Sequence, residues 1–169
     1  MVDLGGGSAQ LIVGEASSGP YMQVSLPLGT NRTTERFVGN DPPKKEELRA
    51  LEEHVRELVP RWELSARMAV VVVGGSARAM LKITQDRLTV ERLRRLAAEI
   101  TDYRSAVLAR QYGLAPERAR VLPAAVTTLG AILDHFGTRE LTVARGGVRE
   151  GAILSLADEV CKEGIGPER

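Results

Sequence analysis

The residues best suited to chemistry stand at the start of the chain. Asp3 belongs to a short apolar segment, and Gly5, Gly6, Gly7 and the hydroxyl of Ser8 follow it. Glycine permits positive φ angles and lets a ligand reach bare backbone amides, and consecutive amides that point into one concavity bind phosphate. Asp3 is then placed to hold a divalent cation beside the phosphate. The alternative is an ordinary glycine-rich hairpin in which Asp3 is a solvated turn residue.

A second glycine loop follows the apolar run 68–73, whose β-branched residues are typical of a strand buried on both faces. A helix is expected to begin close behind it, at Ala79. Backbone amides at a helix N-terminus bind anions, so this loop is a second phosphate-type site. Its expected phosphate-binding residues are Gly74, Gly75, Ser76 and Arg78. The alternative is a tight strand-to-helix turn that only needs small residues.

Composition excludes several classes of protein. The 169 residues include 23 Lys and Arg against 22 Asp and Glu, with no block of one sign, which argues against a nucleic-acid-binding or membrane-surface protein. The single Cys161 and two histidines argue against a disulfide and a zinc site. No apolar run approaches the roughly 20 residues of a membrane span, and no signal peptide is recognisable. We therefore expect a cytoplasmic protein with an aliphatic core.

Hydrophobic periodicity and turn residues predict the elements that position these loops. The first three strands, ending at residue 4 and covering 10–15 and 21–28, form an antiparallel meander. Helices are expected at 30–37, 44–58, 79–83, 89–100, 101–112, 124–136 and 148–160, and a last strand at 140–144. Thr30 or Asn31 is the expected N-cap of the first helix and Thr89 that of the fourth. Arg32, Glu35 and Arg36 are interpreted as a solvated ion-pair face.

This order of elements predicts an α/β fold, with a mixed five-stranded sheet and helices on both faces. The two later strands run parallel to the first. Because ligands bind at the carboxyl ends of parallel strands, the loops 3–8, 74–78 and 145–147 should meet at one edge of the sheet.

Six motifs occur along the chain in a fixed order. They are Asp3-Leu4-Gly5-Gly6-Gly7-Ser8, Leu26-Pro27-Leu28-Gly29, Thr34-Glu35-Arg36-Phe37, Gly74-Gly75-Ser76-Ala77-Arg78, Leu122-Pro123-Ala124 and Gly147-Val148-Arg149-Glu150-Gly151. As a set they resemble the exopolyphosphatase / guanosine pentaphosphate phosphatase family over residues 1 to about 157. The resemblance implies a ribonuclease-H-like domain of the actin-like, Hsp70-like and sugar-kinase-like ATPase superfamily, in which two such domains enclose a phosphate cleft. Residues 1–160 resemble the second of these domains, with a flexible tail at 161–169 and the first domain absent from this sequence.

The resemblance also implies roles for particular residues. Gly5, Gly6, Gly7 and Ser8 match the family's second phosphate loop, and Asp3 would lie near a Mg²⁺ ion. Gly74, Gly75 and Ser76 match the loop on the other side of the cleft, and Arg149-Glu150-Gly151 matches a closing motif with a mainly structural role. The family usually has Thr-Glu after the loop serine, where this chain has Ala9 and Gln10. Gln10 is the catalytic candidate of this chain, but it cannot take a proton, and the main catalytic glutamate is expected in the missing domain.

The leading hypothesis is one domain of a phosphohydrolase that releases terminal phosphate from polyphosphate or from guanosine pentaphosphate by magnesium-assisted attack of water. The expected ligands are polyphosphate and guanosine penta- or tetraphosphate. One alternative is a non-catalytic phosphate or nucleotide sensor of the same fold, and another is an ATP-dependent kinase or ATPase of the superfamily. The isolated chain is expected to be inactive. It is also expected to expose apolar residues toward the missing domain, among them Val2, Leu4, Ile153 and Leu154, and to form a homodimer.

Overall fold

The structure, a computed structural model, describes residues 1–15, 17–64, 68–85, 88–138, 141–144 and 146–162. Its strands are β1 (Val2–Leu4), β2 (Ala9–Glu15), β3 (Gly19–Leu26), β4 (Val71–Val73) and β5 (Thr142–Val143). Its helices are α1 (Thr30–Phe37), α2 (Lys45–Leu58), α3 (Gly75–Ile83), α4 (Val90–Ile100), α5 (Ser105–Tyr112), α6 (Pro116–His135) and α7 (Val148–Lys162).

The strands form one mixed sheet in the order β3-β2-β1-β4-β5, which confirms the predicted topology. β1 pairs antiparallel with β2 and parallel with β4, and β4 pairs parallel with β5. The carboxyl ends of β1, β4 and β5 therefore meet at one edge, where the glycine loops begin. Because side chains alternate along a strand, Val2 and Leu4 face the core, while Asp3 and its partner Gln10 lie on the outer face.

The core lies between one face of the sheet and the helices, and it is aliphatic as predicted. α6 occupies its centre and packs against α1, α2, α3, α4 and α5. Leu4 and Leu11 of the sheet join Leu51, Leu129 and Ile132 of the helices in one buried cluster. On the opposite face, the side chains that β3 directs outward are exposed, so the described helices leave that part of the sheet open.

α6 corrects one expectation, because it begins at Pro116 and runs unbroken through Pro123, whereas the sequence predicted a helix only from residue 124. An interior proline removes a backbone hydrogen bond and costs about 3 kcal/mol in a helix. Eleven of the twenty residues of α6 are buried, Pro123 among them. Burial of this order stabilises the long helix by more than the proline destabilises it, since a buried aliphatic side chain contributes about 1.5–3 kcal/mol.

Several predicted boundaries are also wrong. The expected strand 68–73 pairs only over Val71–Val73, because its neighbours β1 and β5 are three and two residues long. α3 begins at Gly75 rather than at Ala79. α5 begins at Ser105 rather than at 101, because the carboxylate of Asp41 accepts hydrogen bonds from the Ser105 amide (2.8 Å) and hydroxyl (2.6 Å).

The end of the chain matches the expectation of an exposed apolar helix in part. Ile153, Leu154 and Leu156 of α7 are 60–67% exposed. Val2 and Leu4 are buried, so the prediction that they are exposed toward the missing domain is wrong. The homodimer stays a prediction. Three predicted features lie outside the described residues: Arg145, the side chain of Arg149 and the tail from residue 163.

Candidate functional site

Residues 5–8 join β1 to β2 and are held by the N-terminus of α1. We call them the phosphate loop after the role predicted for them. The amide of Thr30 donates to the carbonyl of Gly5 and the amide of Asn31 to that of Gly6, both at 2.9 Å. The Nε of Arg32 donates to the carbonyl of Gly7, also at 2.9 Å. Three successive carbonyls of the loop therefore point toward α1.

This arrangement determines where the loop amides point. In a trans peptide the carbonyl and the next N–H point in opposite directions. The amides of Gly6, Gly7 and Ser8 consequently point away from α1, and none of them has an acceptor among the described residues. Amides aligned in this way favour a negative charge, and we call the three groups the amide row.

One of the two reasons predicted for the loop glycines, a backbone with positive φ, is wrong. Of the described residues, the glycines with positive φ are Gly19, Gly74, Gly113 and Gly137, so the loop is not left-handed. A Cβ on Gly6 would meet the Asn31 side chain at 3.1 Å. The N-terminus of α1 therefore lies close against the loop at this position.

Gly29, the N-cap of α1, is a site residue to which the sequence assigned no role. A Cβ there would lie 2.2 Å from the Ser8 nitrogen and 2.3 Å from the Gly7 carbonyl carbon. The loop therefore lies directly on the backbone of Gly29. Gly29 is the N-cap and no side chain caps α1, so the prediction that Thr30 or Asn31 would be the N-cap is wrong. The Leu26-Pro27-Leu28-Gly29 motif was the available signal.

The second glycine loop approaches β1 in a similar way. Gly74 has a φ of 115°, and a Cβ on it would lie 2.5 Å from the carbonyl oxygen of Leu4. Next to it, Arg118 of α6 donates from Nη1 to the carbonyl of Gly75 at 2.6 Å. Arg118 thus brings a guanidinium to the N-terminus of α3, where the helix dipole already favours an anion.

A cleft of about 310 Å³ separates the two glycine loops, and we call it the glycine cleft. Its lining residues are Leu4, Gly5 and Gly6 from β1 and its loop, Thr30 and Asn31 from α1, Gly75 and Ser76 from α3, and Ala115, Glu117, Arg118 and Val121 at and before the start of α6. The structure thus brings Gly5, Gly6, Gly75 and Ser76 together as predicted. It adds Thr30, Asn31, Glu117 and Arg118, which the sequence did not assign to the site.

A smaller cleft of about 160 Å³ lies on the outer side of the same edge, and we call it the Asp3 cleft. It is lined by Asp3, Val73, Gly74, Arg78, Ala144, Gly146, Gly147 and Glu150. Two of the predicted phosphate-binding residues, Gly74 and Arg78, therefore lie beside Asp3 rather than in the glycine cleft. The Glu150 carboxylate accepts a hydrogen bond from the amide of Gly147 at 2.7 Å.

The donor set around Asp3 restricts how a magnesium ion can bind. Magnesium prefers oxygen ligands and is commonly held by one or two carboxylates together with substrate phosphates. No cluster of three or more His, Cys, Asp or Glu side chains suited to a metal occurs in the described part of the chain. Asp3, which shares its cleft with Glu150, therefore fits an ion that is also bound by phosphate.

Gln10 lies beside the phosphate loop but lines neither cleft. Its Nε2 donates to the Ser8 hydroxyl at 2.6 Å and lies 3.4 Å from that of Ser25. A carboxamide in this place supports the loop through Ser8. It cannot accept a proton from an attacking water, as a general base must.

Comparisons with known proteins agree with this architecture. A sequence model of the Ppx/GppA phosphatase family matches residues 1–160. A guanosine-5'-triphosphate,3'-diphosphate pyrophosphatase from Aeromonas hydrophila is 25% identical over 165 residues, covering 92% of this chain and 33% of that protein. A Ppx/GppA family member from Aquifex aeolicus superposes with a TM-score of 0.80 at 24% identity, over 98% of this chain and 56% of that chain. An exopolyphosphatase from Cytophaga hutchinsonii superposes with a TM-score of 0.79 at 17% identity, over 94% and 56% of the two chains.

The chain thus spans about a third of its curated relative and just over half of these solved chains. No described helix is long and apolar enough to cross a membrane. The mixed five-stranded α/β domain is that of the actin-like ATPase fold found in these structures. Because the family model covers nearly the whole chain, the chain belongs to the Ppx/GppA phosphatase family.

Proposed function

We propose that this chain is the phosphate-binding half of a phosphohydrolase that acts on polyphosphate or on guanosine penta- or tetraphosphate. The observation that carries the proposal is the amide row of Gly6, Gly7 and Ser8. Three carbonyls held by α1 orient three amides that have no acceptor among the described residues. Phosphoryl transfer depends mainly on positioning and charge neutralisation, and oriented amides contribute to both without reorganising.

The residues of this chain bind and orient, and they do not activate the water. The amides of the row would donate hydrogen bonds to phosphate oxygens, and Arg118, which lines the glycine cleft together with Gly6, adds a positive charge. Asp3 would share a magnesium ion with the phosphates, and that ion would neutralise part of their charge. Gln10 holds the Ser8 hydroxyl and cannot act as the base. Activation of the attacking water is therefore assigned to a domain that this chain does not contain, and the 169-residue chain is expected to bind phosphate without releasing it.

Calorimetric titration of the chain with tripolyphosphate tests the binding role. Arg118→Gln removes the charge near Gly75, and hydrogen bonds to charged groups contribute about 1.5–3 kcal/mol, so affinity should fall by about 10- to 100-fold. Arg110→Gln is the matched control, because Arg110 is an exposed arginine on α5, away from the cleft. Equal affinities of the two variants, or no binding by the unmodified chain, would contradict the proposal.

A second candidate function, binding without hydrolysis, is favoured by Gln10. If the full-length protein is a sensor, it should bind guanosine tetraphosphate or polyphosphate and release no phosphate with magnesium present. Gln10→Glu provides the discriminating variant, since it restores the carboxylate that the family usually has. Phosphate release by the unmodified full-length protein would reject the sensor and support the hydrolase.

A further inference from the structure

β3, the outermost strand of the sheet, has one edge that no other described strand covers. It stands at the end of the strand order β3-β2-β1-β4-β5, and its main contacts are with β2. β3 is eight residues long, whereas β5 at the opposite edge is two residues long. A long strand at an edge presents unpaired amides and carbonyls to which another strand can bind.

The edge of β3 lacks the charged side chains that usually prevent such pairing. None of the residues of Gly19–Leu26 is Lys, Arg, Asp or Glu. Besides charges, prolines and bulges protect edge strands. Pro20 and the register shift beside Gly14 lie at one end of the strand, and Pro27 follows the other. Residues 22–26 between them are therefore unprotected, and we call them the open edge.

The pairing of the inner strands determines which backbone groups of β3 point outward. The amide of Ile12 donates to the carbonyl of Met1 at 2.9 Å, and the amino group of Met1 donates to the carbonyl of Ile12 at 2.6 Å. Ile12 therefore turns its backbone groups toward β1, and its neighbour Leu11 turns them toward β3, because this direction alternates along a strand. Leu11 pairs with Val24, so the backbone groups of Val24 point toward β2.

Gln23 and Ser25, which flank Val24, consequently point their amides and carbonyls away from the sheet. None of these groups bonds to another part of the described chain. Both side chains are exposed on the outer face. The open edge thus offers two donors and two acceptors to a further strand.

The two faces of the open edge differ in character. Met22, Val24 and Leu26 alternate with the polar residues and lie on the inner face, where Leu26 is buried and Val24 packs against the core. Met22 and Val24 are only half-buried. A strand added at this edge would cover the rest of their apolar surface.

We propose that the open edge pairs with the open edge of a second copy of this chain, antiparallel and about a two-fold axis at Val24. In this register Val24 lies opposite its own copy, and Met22 lies opposite Leu26. Gln23 lies opposite Ser25, so the two Gln23–Ser25 pairs can exchange both of their backbone hydrogen bonds.

This register is self-complementary, as a two-fold interface requires. Apolar side chains meet on the inner face, uncharged polar ones meet on the outer face, and no like charges are opposed. An acidic or basic peptide would find no opposite charge on this strand, so a second copy is the better fit. The proposal does not depend on phosphate binding.

The length of the contact sets the strength expected of the dimer. The open edge is about 17 Å long at about 3.4 Å per residue. Stable protein interfaces bury about 1,200–2,000 Å², and smaller ones belong to weak, transient complexes. A single pair of short strands falls in the second group, so we expect a dimer that dissociates in the micromolar range.

Sedimentation equilibrium across micromolar concentrations tests the proposal. Gln23→Pro removes one outward amide and places a ring at the edge, so it should weaken association at least about tenfold. That amide has no partner within the chain, and proline is tolerated on edge strands, so the folded monomer should persist. Gln23→Thr is the matched control, because it keeps the amide and favours a strand. It should associate as the unmodified chain does.

Amide hydrogen exchange followed by NMR locates the contact in the unmodified chain. Exchange at Gln23 and Ser25 should slow as the protein concentration rises, whereas the amide of Val24 already bonds to β2 and should change less. If Gln23→Pro unfolds in urea earlier than the control, this measurement decides.

Two results would overturn the proposal. The first is a monomer at every concentration, or association that a folded Gln23→Pro variant leaves unchanged. The second is dissociation by Leu156→Lys with no change of exchange at Gln23 and Ser25, which would assign the contact to the exposed apolar side chains of α7.

Discussion

Gly29 offers the most direct test of how the phosphate loop is held. A Cβ at this position would lie 2.2 Å from the Ser8 nitrogen, 2.3 Å from the Gly7 carbonyl carbon and 2.4 Å from that of Gly6. These are backbone atoms, and ordinary Cβ contacts begin at 3.4 Å. Gly29→Ala must therefore move the loop and α1 apart by roughly 1 Å, because a close-packed contact has no spare room.

A shift of that size disrupts the hydrogen bonds that the Thr30 and Asn31 amides donate to the loop. Each contributes about 1 kcal/mol, and overpacking adds about 1–3 kcal/mol. We expect the free energy of unfolding of Gly29→Ala to fall by about 3–5 kcal/mol. The amide row also loses its alignment, so tripolyphosphate affinity should fall by at least about tenfold.

Urea unfolding followed by circular dichroism gives the first quantity, and calorimetry gives the second. Gly151→Ala is the control, because a Cβ on Gly151 has nothing within 4 Å and alanine is the better helix former. Its free energy of unfolding should stay the same or rise by up to about 1 kcal/mol. If Gly29→Ala unfolds and binds tripolyphosphate as the unmodified chain does, the loop is not held by this contact and the reasoning is refuted.

Three further predictions concern the outer cleft and the helices. Asp3→Asn should abolish the magnesium dependence of tripolyphosphate binding in calorimetry, and an unchanged dependence would place the metal elsewhere. Asp41→Ala removes both hydrogen bonds from Ser105 and should lower the free energy of unfolding in urea by about 1–2 kcal/mol. An unchanged midpoint of urea unfolding would contradict the conclusion that Asp41 stabilises the start of α5. Burial, and then the hydrogen bond from Tyr112 to the Glu99 carboxylate, raise the pKa of Tyr112 to about 12. Because an unfolded phenol ionises near pH 10, the stability from this contact should be intact below about pH 10 and lost as pH rises toward 12. Ultraviolet titration should show one late phase that Tyr112→Phe removes, and three phenols titrating together would disprove the shift.

Local patterns in the sequence were enough to predict the sheet and the edge where the site lies. Alternation of apolar and polar residues marks β3, and Thr89 caps α4 by accepting a hydrogen bond from the Arg92 amide, as predicted. Gly113 ends α5 and Gly137 follows the end of α6, and both have the positive φ for which glycine is preferred after a helix. These features depend on residues a few positions apart, so they can be recognised in the chain alone.

The site itself depends on contacts between distant segments, which no local pattern encodes. Arg118 reaches Gly75 across 43 positions and Arg32 reaches Gly7 across 25, so neither contact with a glycine loop could be predicted from spacing. The same holds for Gly29, whose need for glycine arises from the loop that lies on it.

The unbroken course of α6 through Pro123 was decided in the same way, since burial on several sides outweighs the local cost of a proline. The sequence therefore determined which loops meet at the edge of the sheet, because strand direction follows from the order of the elements. The tertiary structure decided which side chains enter the clefts, because only packing brings α1, α3 and α6 around the glycine loops.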